Sequence, residues 1–189
     1  MATASQKNIA LSDLALKAVK YADEKMDIGS YNKLPNSYYG WPTRYLCVEE
    51  SRQKVQKHLE DLEKLRARSN QKVGWADQLD ESASWARLMG CGNCGEYSAL
   101  AFVYLRDVLK VRPLDWMEYG NFTHAFVIIG RESGTAPNHD DEPFEYDAIG
   151  HWNDSIVMCD AYYGRVLDYS HIVLSLGRQR KFRLLHREG

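Results

Sequence analysis

Three short stretches hold residue types that can do chemistry together: GCGNCGEYS at 90–98, FTHAFVIIG at 122–130 and SIVMCD at 155–160. Cys94 follows Gly90, Gly92 and Asn93 and opens a long apolar run, the pattern of a helix start. A sulfur at that place faces the unpaired N–H groups of the first turn and the positive end of the helix dipole. Both favour the thiolate, which is the nucleophile. The same N–H groups can hold an oxyanion on a carbonyl under attack, and Gly92 and Gly95 are expected to leave room for that carbonyl. His124 interrupts an apolar strand, where an imidazole needs a polar reason to exist, and is the candidate base. Asp160 closes another apolar strand and is the candidate to hold the imidazole tautomer. In this order the three suit acyl transfer through a thioester.

Asn93, Gln78 and Trp85 precede the nucleophile and are candidates for an oxyanion hole or an acyl groove. Other uses of the same residues stay open. Cys91 and Cys94 form a single CxxC, which can bind zinc or cycle as a redox pair. A structural zinc site needs a second ligand pair, however, and Cys47 and Cys159 stand isolated. A redox CxxC should follow an N-terminal βα unit, whereas the preceding residues read as helical. Cys94 can also be a small buried residue, His124 a satisfied core histidine, and Asp160 a turn cap. His139 and His151 are rivals for the base, and Asp147, Asp154 and Asp168 for the acid. Cys91 is expected beside the nucleophile, as a reduced thiol able to guard Cys94 by a reversible disulfide. Glu96 complements the dipole in the first turn. The acidic run HDDE at 139–142 reads as a solvated loop rather than a calcium site.

The elements that must position these groups are legible in outline. Ser12 can cap a helix to about Lys25, with Leu14, Ala18 and Tyr21 on one stripe. Residues 27–43, rich in Gly, Asn, Pro and Tyr, read as loop. A charged helix over about 49–68 has Val55, Leu59, Leu62 and Leu65 on a narrow apolar stripe. A short helix is expected over 81–88, then one over about 94–110 that is apolar all round and therefore buried. Strands are expected over 113–119, 122–130 and 155–160, with a tight turn at Gly120–Asn121 and an excursion over 131–147. Residues 171–177 and 181–185 finish the sheet or form a helix and a strand. Helices first and an antiparallel sheet after is an α+β order.

The motifs GNCGE at a helix start, THAFVIIG and CDAYYG resemble the transglutaminase-like branch of the papain-like cysteine superfamily. Small bacterial members, among them secreted effectors and toxin domains, are the most similar. The resemblance covers about residues 80–170. It implies a papain/transglutaminase-like core at 76–189, with residues 1–75 a helical N-terminal extension packed on it, the whole one compact domain. It also implies a Cys94–His124–Asp160 triad, no metal or organic cofactor, and a protein substrate. Deamidation or transamidation of a glutamine or asparagine is the first expectation and cysteine proteolysis the second. A catalytically inactive binding module is the reading from another class.

Composition sets the limits. The 189 residues suffice for one domain with a real core. A net charge of -2 gives no reason to expect nucleic acid as partner. No stretch approaches the roughly 18 apolar residues of a membrane span. The N-terminal stretch has no apolar block of signal-peptide quality. The chain is therefore expected in the cytoplasm, or secreted into a host cell without a signal peptide.

Overall fold

The computed structural model of the chain describes residues 4–32, 37–119, 123–132, 144–145, 152–176 and 181–189. It is an α+β protein in which helices α1 (Ala4–Lys25), α2 (Ser37–Arg66), α3 (Trp75–Met89) and α4 (Cys94–Val103) precede most of the sheet. The strands are β1 (Leu114–Tyr119), β2 (His124–Ile129), β3 (Phe144–Glu145), β4 (Val157–Asp160), β5 (Arg165–Asp168) and β6 (Lys181–Glu188), with α5 (Tyr169–Leu176) before the last. They form one antiparallel sheet in the order β3-β6-β1-β2-β4-β5.

The alternation of side chains along the strands serves two cores. Trp116, Val127, Ile129, Val157 and Cys159 join the helix side, with Ala15, Ala18 and Ala22 of α1 and Tyr97 to Phe102 of α4. Met117, Phe126, Ile128 and Met158 join the other side, with Ile172 of α5 and Phe182 of β6. Each fully buried Phe or Leu among them stabilises the fold by about 1.5–3 kcal/mol. Helix α4, apolar round its whole circumference, is enclosed as its sequence requires, with residues 96–102 all buried. It then widens into a π-turn over Tyr104–Val108, closed by Leu109 N–H donating to Tyr104 O at 3.1 Å.

Several elements differ from their sequence pattern. Helix α1 starts well before Ser12. Helix α2 starts at Ser37, inside the stretch expected as loop, and holds Pro42 at the cost of one backbone hydrogen bond. Its expected apolar stripe is only half-buried at Val55, Leu59 and Leu62, and Leu65 is 66% exposed. Helix α3 extends six residues further N-terminal than its apolar pattern suggests, because Asp77 accepts from Gly74 N–H at 3.0 Å and caps the added turn. Strand β5 is not marked by its sequence. Of the two uses open to residues 171–185, a helix and a strand are found. The Gly120–Asn121 turn and most of the 131–147 excursion lie outside the described residues. So do His139, His151 and Asp147.

Candidate active site

The loop between α3 and α4 presents Cys94, and its shape is fixed from three sides. Gly90 ends α3 in the left-handed region at φ 69, donating its N–H to Ala86 O. A Cβ there would lie 1.9 Å from Asp27 Oδ1, so only glycine fits. The segment after α1 pairs with the loop: Ile28 and Gly29 N–H donate to Gly90 O at 2.9 and 3.0 Å, and Gly92 N–H donates to Gly29 O at 3.4 Å. Cys91 is disulfide-bonded to Cys47 of α2. At the start of α4, Glu96 accepts from Asn93 N–H at 2.8 Å and from Arg52 Nε at 2.8 Å. That satisfies one N–H of the helix start and places the carboxylate at the positive end of the dipole.

Strand pairing brings the other two groups together. Val127 stands opposite Cys159. One step further in that register sets Phe126 against Asp160, so His124 is the diagonal neighbour of Asp160 on the same face. His124 Nε2 lies 3.0 Å from Asp160 Oδ2, although the ring N–H is not aligned squarely on the oxygen. The imidazole also hydrogen-bonds the Cys94 side chain. With Nε2 on the carboxylate, Nδ1 is the nitrogen left for the sulfur. Cys94 Sγ lies 3.8 Å from Thr123 O, the residue before His124. Cys94 is part-exposed, His124 buried, and Asp160 has no exposure at all.

Burial would push the His124 imidazolium down. Hydrogen bonds to Asp160 and Cys94 and their charges outweigh it, raising the pKa to about 9. The ring is therefore protonated at neutral pH and able to give a proton to a leaving group. Asp160 is itself held: it accepts from Tyr163 N–H at 3.2 Å and from Arg165 Nε at 3.1 Å. Three aromatic rings fix the imidazole plane: Tyr163 at 4.9 Å, Tyr119 at 5.2 Å and Tyr162 at 5.9 Å between centroids.

Of the other expected residues, Gln78 is brought near the nucleophile. It lines a cleft of about 330 Å³ with Ser82, Gly95, Glu96 and Trp116. Asn93 is buried immediately before Cys94, with its Oδ1 accepting from Ser30 Oγ at 2.7 Å. Trp85 is half-buried on α3 and does not line that cleft. Asp168 caps α5 instead, accepting from His171 N–H at 3.0 Å and Ser170 Oγ at 2.7 Å, which lowers its pKa to about 2. Asp154 is exposed.

Three expectations are corrected. Cys91 is not a reduced thiol or a guard for Cys94, because its sulfur is bonded to Cys47. The CxxC is therefore neither a redox pair nor half of a zinc site. Among the described residues no group of three or more His, Cys, Asp or Glu comes together as a metal site. Nor does Gly92 leave room for a substrate: a Cβ there would lie 2.4 Å from Glu96 Cβ and 2.6 Å from Met26 Cε. The open glycine is Gly95, where nothing lies within 4 Å.

Sequence reasoning missed Ser30, Cys47, Arg52 and Arg165, whose contacts with the site cross between distant segments. No helix among the described residues is long and apolar enough to cross a membrane. No family model, curated protein or solved structure matches the chain.

Proposed function

We propose that the chain is a thiol acyl-transfer enzyme acting on a side-chain amide or peptide bond of a protein. The observation that carries this reading is the placement of one imidazole between Asp160, at 3.0 Å, and the Cys94 sulfur. The Cys94 thiolate attacks the carbonyl carbon, and the N–H groups at the start of α4 receive the developing oxyanion. On collapse the C–N bond breaks, and the departing amine takes the proton held by His124. Water or a second amine then attacks the thioester, losing its proton to His124 and returning the thiol. Asp160 keeps the ring oriented throughout.

The resemblance to the transglutaminase-like branch and the α+β arrangement, a buried nucleophile helix on an antiparallel sheet, support a core of that type. They favour deamidation or transamidation of glutamine or asparagine over proteolysis. The test has two stages. Iodoacetamide at neutral pH should label Cys94 and spare Cys159, which is fully buried and whose thiol burial pushes far up. His124→Ala should slow that labelling by tenfold or more, on the scale of a lost thiolate-stabilising partner. Casein incubated with the protein and a primary amine is then weighed by mass spectrometry. Amide-to-acid exchange marks deamidation, an amine adduct transamidation, and shortened chains proteolysis. Unselective labelling of Cys94, or labelling indifferent to His124, would overturn the reading.

A further inference from the structure

A buried polar chain runs from the segment after α1 to the nucleophile. Ser30, Asn93 and Tyr162 are all buried. Ser30 Oγ donates to Asn93 Oδ1 at 2.7 Å and accepts from Asn32 N–H at 3.0 Å. Its third contact is the Tyr162 hydroxyl, at 3.3 Å. Since the Ser30 proton is committed to Asn93, Tyr162 is the donor in that contact. The separation is long for an O–H···O bond, whose usual value is about 2.7–2.8 Å, so the bond is weak and cheaply surrendered. The Tyr162 ring is held edge-on against His124 at 5.9 Å, Tyr97 at 5.7 Å and Tyr163 at 5.0 Å. A fixed ring with a hydroxyl free to turn about its C–O bond is a preorganised donor. The hydroxyl sits two hydrogen bonds from Asn93, the residue that adjoins Cys94, on the side of the imidazole that the sulfur shares.

Resting on the acyl-transfer reading, we propose that Tyr162 is a catalytic residue of this site: its hydroxyl turns from Ser30 to the substrate oxygen as that oxygen becomes negative. It acts as the second donor of the oxyanion hole beside the first-turn N–H groups of α4. Ser30 keeps its bonds to Asn93 and Asn32 meanwhile, so no buried partner is left unsatisfied. Burial raises the phenol pKa, the Ser30 bond lowers it, and the Cys94 charge raises it again, with a net rise. The group therefore stays a donor at neutral pH.

Two small probes separate oxyanion stabilisation from thiolate reactivity. With p-nitrophenyl acetate, Cys94 attacks the acetyl carbonyl through an oxyanion, the C–O bond breaks, and p-nitrophenolate leaves an acetyl thioester on the sulfur. With iodoacetamide, the sulfur displaces iodide and no oxyanion forms. Tyr162→Phe keeps the ring and its packing. It should slow acetylation of Cys94 by roughly 10²-fold, the scale of one lost oxyanion donor, while alkylation changes less than twofold. Tyr163→Phe, whose ring also packs on His124, should leave both rates unchanged. Equal slowing of both reactions in Tyr162→Phe, or of neither, would overturn the role of the hydroxyl, as would a Tyr163→Phe defect of the same size. If wild-type Cys94 is neither alkylated nor acetylated selectively, the thiol reading itself fails and the hydroxyl's role falls with it.

Discussion

His124 is buried between a carboxylate and a sulfur, and the two outweigh the burial that opposes its charge. Its pKa, raised from 6.5 to about 9, has a consequence with a definite sign. The folded state binds the proton more tightly than the unfolded chain. The stabilisation is therefore complete below the ordinary histidine value and lost as pH rises through the folded one. Thermal unfolding followed from pH 6 to 10 should show a midpoint that falls across that window. Activity should share an alkaline limb near pH 9, because the leaving amine needs the imidazolium proton. Asp160→Asn removes the carboxylate charge but leaves the burial. The limb should move acidward by about one to two pH units, read from kcat/KM against pH. A limb that stays in place would mean that Asp160 does not govern the ring.

At the scale of elements, the start of α4 gives two adjacent tasks to two glycines. Gly92 is packed against Glu96 and Met26, so Gly92→Ala should cost about 1–3 kcal/mol by overpacking. Gly95 faces open space and lines the cleft shared with Gln78. Gly95→Ala should leave the thermal midpoint within a degree or two and lower turnover. Melting curves of both variants check the contrast. Cys94, His124 and Asp160 are legible in the sequence because each breaks its own local pattern. The cysteine opens an apolar helix after glycines, and the histidine and aspartate stand in strands that are otherwise apolar. Ser30 and Cys47 carry no such mark. Their partners lie 63 and 44 positions away, and a contact across that separation leaves no periodicity to read. The beginning of α2 is hidden for another reason: Gly40 and Pro42 have turn chemistry, and the tertiary setting overrides it.

Over the whole molecule, the segment expected as an extension takes part in the same packing as the sheet. Ala15, Ala18 and Ala22 of α1 share a core with Val157 and Cys159 of β4. Met26 supports Gly92, and Cys47 holds Cys91. The disulfide closes a sequence separation of 44 residues. Chain-entropy reasoning for a loop of that length gives about 4 kcal/mol, with about 2–4 typical in practice. Denaturant unfolding of the oxidised protein against a Cys47→Ser, Cys91→Ser double variant should show a loss of that size. A midpoint indifferent to the pair would mean that pairing of residues 28–30 with the loop already suffices.

The chain order of the three central groups has one more consequence. Cys94 is translated before β2 supplies His124, and well before β4 supplies Asp160. On the ribosome its sulfur is an ordinary thiol without an imidazole beside it or a carboxylate behind that imidazole. Heightened reactivity is therefore a property acquired late in synthesis, which spares the nascent chain and its neighbours from attack by its own nucleophile.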